Sequence, residues 1–381
     1  MNFQHLKDYL DYCLPMVGVP GSDTVICKGR EVVFRHTTGY DSLRYRTPMR
    51  DNALYNLYSC TKVATCVAAV QLIERGEILA TDPLYAYFPE YQHVGVKHIR
   101  EDGTVDVRQA ENPILIQHLL TMTAGMNYNL DVPAIQKVRM QTDGKCPTLD
   151  VIRALAEEPL DFEPGEKYQY SLCLDVIGGI VELVSGMKFG DYMRENIFLP
   201  LGMNRTTFTM NEDVKSSLAT QYSLDEKNNC AVEIPCDDNP YRFGPEFESG
   251  GAGMISSVDD MILFADALTH FGVGKTGERI LSKFGVNLMR SPMLKEITFP
   301  IPGFGGHIAG YSYGYGVRVN QTPGLVGNLS PVGEFGWDGA KCSYISSDPE
   351  SEISIFHAEH IGGMHKMFPR FRNLVYSCIG E

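Results

Sequence analysis

A serine and a lysine three residues apart, Ser59 and Lys62 in "LYSCTKVATCVAAVQLIERG" (residues 57–76), offer nucleophilic chemistry. Val63, Val67 and Val70 recur at helical spacing with Leu72 and Ile73, and Gly76 is a natural stop. The segment therefore predicts a helix, apolar on one side, that opens near Ser59. A lysine in that first turn is electrostatically misplaced, because the unpaired N–H groups and the helix dipole both favour anions there. On one reading Ser59 only caps the helix and Lys62 points into solvent. On the other, positions i and i+3 share a face, so the amine reaches the hydroxyl. Burial and the dipole then lower the lysine pKa until it takes the serine proton. The two readings stay open on these residues alone.

Three other groupings read as structural. "GYSYG" (310–314) matches G-x-S-x-G around Ser312, but the run after it is strand-like, whereas a nucleophile elbow leads into a helix. "GKTG" (274–277) follows a helix in a polar connection, and Thr269 stands where a P-loop has its first glycine. His357, His360 and His365 do not make a metal set, since strand alternation sends His357 and His360 to opposite faces. No metal and no cofactor is expected.

The elements that must position the Ser59 helix follow from patterning. Residues 3–13 predict a helix, and "DTVICKGREVVFRHTTGY" a hairpin turning at Lys28-Gly29. From about 84 to 250 helical periods and loops dominate, including "LCLDVIGGIVELVSG", where Gly178-Gly179 favours close helix packing. "SSVDDMILFADALTHFG" predicts another helix. After residue 300, Gly- and Tyr-rich alternating runs predict strands, and "MHKMFPRFRNLVYSCIG" a terminal helix. The expected class is α+β: an antiparallel sheet flanked by N- and C-terminal helices, with a second, mainly helical lobe. Residues 1–84 and 250–381 are expected to form the discontinuous sheet lobe, and 85–249 the helical one.

With 381 residues, 44% hydrophobic and 21% charged, the chain has a globular composition. A net charge of -14 argues against nucleic-acid and anionic-membrane partners. No apolar run reaches membrane-spanning length, and the first residues lack a secretory pattern. The ten cysteines include no CxxC pair and are expected to be reduced core residues of a cytoplasmic protein. Nothing in the pattern specifies an oligomeric state.

"EPGEKYQYSLCLDVIGGIVELVSG" places Tyr170 two residues before a predicted helix. Together with "LYSCTK", "GVPGSDTVICKGREVVF", "LPLGMNRTTF" and "SGGAGMISSVDDMILFADAL", in that family's order, the chain resembles the serine β-lactamases, penicillin-binding proteins and related esterases. The likeness is to the class C-like branch and runs almost from end to end. It implies that Ser59 attacks an acyl carbonyl, with Lys62 and Tyr170 as proton relay. A phenol keeps its proton to about pH 10, so Tyr170 needs a cationic neighbour to act as a base. In "EFGWDGAKCSYISSDPE", Trp337-Asp338-Gly339 stands where relatives carry K-T-G. The backbone N–H groups of Ser59 and Ala340 are then the implied oxyanion donors. Gly339 is expected to let the chain approach the substrate closely, and Trp337 either fills the core or lines the pocket.

Two departures bear on substrate. Leu172 lies where the β-lactamase motif has an amide-binding asparagine, so a hydrogen bond is lost and an apolar wall gained. Asp338 replaces a hydroxyl that helps hold a substrate carboxylate, and would repel that group. With the lysine also replaced by Trp337, these changes argue against efficient penicillin or cephalosporin hydrolysis. The resulting expectation is a serine hydrolase, a carboxylesterase or acyltransferase on small uncharged or cationic esters, with Asp338 selecting an ammonium group. The alternatives are a β-lactamase or D-amino-acid peptidase, and a catalytically silent binding protein of the same fold.

Overall fold

The computed structural model describes the chain apart from residues 101, 226, 229, 295–299, 302–305, 308 and 381. Much of the 295–310 segment thus lies outside the described residues.

A helical run opens the chain with α1 (Gln4–Asp8) and continues through Tyr9–Cys13 and Leu14–Met16. Strands β1 (Gly21–Lys28) and β2 (Glu31–Ser42) then form the hairpin. Its turn residues, Gly29 and Arg30, have φ of +56° and +70°, the paired left-handed geometry that matches the twist of two-residue hairpins. β3 (Thr47–Pro48) completes this edge. Helices α2 (Thr61–Glu74), α3 (Cys173–Ser185) and α4 (Val258–Thr269) follow. The chain closes with β4 (Tyr311–Tyr313), β5 (Arg318–Asn320), β6 (Phe335–Asp338), β7 (Ser343–Asp348), β8 (Ile353–Ala358) and α5 (Phe368–Gly380).

The two ends of the chain meet in one eight-stranded antiparallel sheet, ordered β4-β5-β6-β7-β8-β1-β2-β3. Side-chain alternation divides its residues between two cores. Ile26, Tyr344 and Ile355 pack with Leu6 and Leu10 from the opening helical run and with Phe371 and Val375 from α5. Their neighbours Val25, Ile345 and Phe356 join the larger core built on α2, α3 and α4. Residues Gln221–Asp225 and Cys230–Ile234 form a hairpin that pairs with Ile361–Gly362 just after β8. This stretch of the middle chain therefore packs beside the terminal strands.

The one-sided helix expected after Ser59 is corrected. Every residue from Thr61 to Leu72 is buried, because α2 runs through the interior with α3 alongside it. Gly178 and Gly250 allow that interior to close: a Cβ on Gly178 would lie 3.3 Å from the Gly250 Cα.

Candidate active site

Ser59 occupies the 3₁₀ turn Tyr58–Cys60 that leads into α2. Tyr58 has φ +47°, a left-handed conformation that costs a non-glycine residue about 1 kcal/mol. Its hydroxyl donates to Gln221 Oε1 at 2.6 Å, which anchors the strained residue from the far side. The turn is pinned again where Ser343 Oγ donates to the Leu57 carbonyl at 2.9 Å.

Lys62 is completely buried. Its Nζ donates to Ser59 Oγ at 3.1 Å, Tyr128 Oη at 3.1 Å and the Gly251 carbonyl at 2.7 Å. The three protons of an ammonium are thereby all used. Burial lowers the amine pKa to about 8, against the opposing pull of the Asp175 carboxylate. Asp175 is itself buried on α3 and accepts from Ser249 Oγ and, at 3.2 Å, from the Gly251 N–H. It thus holds the loop whose next group, the Gly251 carbonyl, receives the lysine.

Tyr170 completes the cluster. Its hydroxyl accepts from Trp337 Nε1 at 3.1 Å and lies beside the Ser59 side chain. The Lys62 amine lies 4.7 Å from the Tyr170 ring centre, over its face. Burial pushes the phenol pKa far up despite the hydrogen bonds from Ser59 and Trp337. A phenol so placed is protonated at neutral pH.

The turn between β6 and β7, which contains Ala340, packs through Gly339 and Ser343 against Leu57, two residues before Ser59. Gly339 N–H donates to the Ser343 carbonyl at 2.7 Å, and Cys342 N–H to the Gly339 carbonyl at 2.8 Å. Among the described residues, neither the Ala340 N–H nor the Ser59 N–H finds an acceptor. The reason for glycine at 339 differs from the expectation. A Cβ there would sit 2.2 Å from the Leu57 carbonyl oxygen, so the approach the structure shows is to the turn that carries Ser59.

The remaining predicted residues separate. Trp337 is buried, stacks on Tyr170 with ring centres 5.7 Å apart, and meets Tyr313 edge-on at 5.1 Å. Leu172 is buried and lines an apolar cavity with Tyr91, Val94, Val132 and Leu160. Asp338 requires a correction. Alternation along β6 turns it away from Trp337, and its carboxylate pairs with the buried Arg318 guanidinium at 3.3 Å. Arg318 also pairs with Glu334 at 3.1 Å and donates to Tyr344 Oη at 3.0 Å. This internal pairing, absent from the sequence expectation, argues against Asp338 repelling a substrate carboxylate or selecting an ammonium group.

Ser312 lies in β4 with another strand after it, and 274–277 is a turn closed by Gly277 N–H to the Gly274 carbonyl. His357 bonds Thr24 and Glu359, whereas His365 Nε2 bonds the Gly339 carbonyl. Among the described residues no cluster of His, Cys, Asp or Glu is placed to hold a metal. Nor is any described helix long and apolar enough to cross a membrane.

Two members of the cluster escaped the sequence reading. Tyr128 sits in an irregular segment, and nothing distinguishes it among 20 tyrosines. Asp175 did leave a signal, since it is a carboxylate inside the apolar run "CLDVIGGIV", where a charge must be buried with a purpose or a partner.

Known proteins share this arrangement of elements. The chain is 26% identical to esterase EstB of Burkholderia gladioli over 339 residues, covering 84% of this chain and 80% of that protein. It is 31% identical over 322 residues to acyltransferase calJ of Penicillium decumbens, covering 81% of this chain and 76% of the relative. The solved structure of EstCE1, a hydrolase with promiscuous acyltransferase activity, superposes with a TM-score of 0.77 at 24% identity, covering 98% of both chains. The Beta-lactamase family model matches residues 4–358. A match of that extent, over a fold that buries a lysine against a serine hydroxyl, makes the chain a member of the Beta-lactamase family.

Proposed function

We propose that the protein is a serine hydrolase that forms an acyl-enzyme at Ser59 and acts as a carboxylesterase or acyltransferase on small, uncharged esters. The observation that carries this reading is the 3.1 Å contact between Ser59 Oγ and an amine buried enough to lose its proton near pH 8. The esterase and acyltransferase relatives support the same chemistry.

Lys62 is the base, because the phenol of Tyr170 is held protonated. As a neutral amine, Lys62 keeps two donated bonds, to Tyr128 and Gly251, and turns its lone pair toward the Ser59 hydroxyl. Ser59 Oγ attacks the ester carbonyl carbon while its proton passes to Lys62 Nζ. The Ser59 and Ala340 N–H groups bind the oxygen that becomes negative. The alkoxide leaves with a proton from the Lys62–Tyr170 pair. Water, or a second alcohol, then enters and the steps run in reverse.

The preference for esters over lactams rests on Trp337 of β6 and on Leu172. Trp337 gives the Tyr170 oxygen a neutral N–H where the family's lysine would supply a cation. Leu172 supplies no amide where asparagine would. We place the protein in the cytoplasm because its ten cysteines form no disulfide among the described residues, a state that a reducing compartment preserves.

The test is to treat the intact protein with a fluorophosphonate and map the adduct by mass spectrometry. Turnover of a short-chain aryl ester is then compared with that of a chromogenic cephalosporin. Labelling at Ser59 with faster ester cleavage is expected. Faster cephalosporin turnover would favour the lactamase reading, and an unlabelled Ser59 would favour a silent binding protein.

A further inference from the structure

We infer that His365 is a positioning residue for the oxyanion hole, acting on the peptide that joins Gly339 to Ala340. The inference rests on the acyl-enzyme reading above and names a residue that reading does not use.

His365 Nε2 lies 2.9 Å from the Gly339 carbonyl oxygen. A carbonyl oxygen only accepts, so this contact requires the proton on Nε2. The Gly339 carbonyl and the Ala340 N–H belong to one planar trans peptide, in which C=O and N–H point in opposite directions. Gripping the oxygen therefore sets the direction of the N–H. The Cys342 N–H takes the other lone pair at 2.8 Å, so the carbonyl is held from two sides. Donors at the oxygen also draw charge along the peptide and make its N–H a stronger donor. The Ala340 N–H, the group so directed, has no acceptor among the described residues and can receive a substrate oxygen.

The imidazole is well placed to do this because its own segment is tied down. Ile361–Gly362 pairs in parallel with Tyr222–Ser223, and His360 Nδ1 bonds the Thr220 carbonyl. Gly362 packs against the same turn: a Cβ there would lie 3.4 Å from the Ala340 oxygen. The His365 ring rests edge-on against Phe368 at the start of α5, with centres 5.7 Å apart. Residues 360–365 thus brace the turn from behind, and His365 is where the brace meets the reacting peptide.

Deleting an oxyanion donor outright costs about 10²–10³ in kcat, so loosening one should cost roughly tenfold. Fluorophosphonate labelling of the wild-type protein at Ser59 is measured first and tests the acyl-enzyme reading by itself. His365→Ala and His365→Phe are then expected to lower kcat for an aryl ester about tenfold, with KM within about twofold. Both should slow fluorophosphonate labelling by the same factor, because the phosphoryl oxygen uses the same hole. His365→Gln, whose amide nitrogen replaces Nε2 as donor, should bring kcat back to within about threefold of wild type. Wild-type kcat in the Ala and Phe variants would overturn the inference. So would a loss in Ala that Phe repairs, which would assign the effect to packing on Phe368.

Discussion

The indole nitrogen of Trp337 donates to the phenol oxygen of Tyr170 across 3.1 Å, and the two rings stack. Burial keeps the phenol protonated against the pull of this neutral donor, which on the proposed mechanism leaves Lys62 as the base. Trp337 is also the only tryptophan in the chain. Its fluorescence should therefore shift when Ser59 is phosphonylated, because Tyr170 touches both residues. Trp337→Phe keeps a ring on Tyr170 but removes the donor. With the hydrogen bond to a buried oxygen worth about 1–3 kcal/mol, kcat for an aryl ester should fall roughly five- to a hundredfold. An unchanged kcat would show that the indole only fills space.

Lys62 sets the pH dependence. With its pKa lowered to about 8, kcat/KM should rise with pH and level off above that value. Lys62→Arg keeps the cation but cannot lose it, and activity should fall by at least about a thousandfold. The linkage has a definite sign. Between pH 8 and the ordinary value of 10.5 the unfolded chain binds the lysine proton and the folded chain does not. Stability relative to a Lys62→Met variant should accordingly rise across that window, which denaturant unfolding at a series of pH values would measure.

Asp175 opposes the depression of the lysine pKa. One of its oxygens, Oδ2, has no hydrogen-bond partner among the described residues, so Asp175→Asn loses the charge while its amide oxygen can still accept from Ser249 and Gly251. The ammonium then loses its nearest compensating carboxylate. The acid limb of kcat/KM should move to lower pH, by about half a unit or more. A limb that stayed in place, or moved upward, would exclude this role.

Asp338 is predicted to matter for stability and not for selectivity. Asp338→Asn leaves the buried Arg318 with Glu334 as its remaining carboxylate, and should destabilise the fold by about 1–3 kcal/mol in a denaturant titration. The ratio of kcat/KM for a choline ester over its neutral isostere should not change. A selective loss for the cationic ester would restore Asp338 to the substrate side.

Much of the framework was legible because it depends on short-range rules. The hairpin at Lys28-Gly29, the alternating strands after residue 300, and α3 and α4 each carry their own periodicity and stop signals. The order of motifs then pointed to the class of fold. Burial was harder to read. The valines of α2 suggested one apolar face, but its alanines, cysteines and threonines are small enough to be buried on every other side. Composition does not say which neighbours arrive there.

The pairing of Ser59 with Lys62 is a property of helical spacing, and the chain determined it locally, as it did the arrival of a Trp-Asp-Gly strand where a lysine is usual. Only the tertiary structure decided that the amine is dry and that Asp338 faces Arg318. It also decided that Tyr128 and Asp175 belong to the cluster, and that Gly339 yields to Leu57. Each of these depends on residues that are not neighbours in sequence, 20 positions away for Arg318 and 66 for Tyr128, and charge, solvation and close approach are set by such contacts rather than by a residue's own identity.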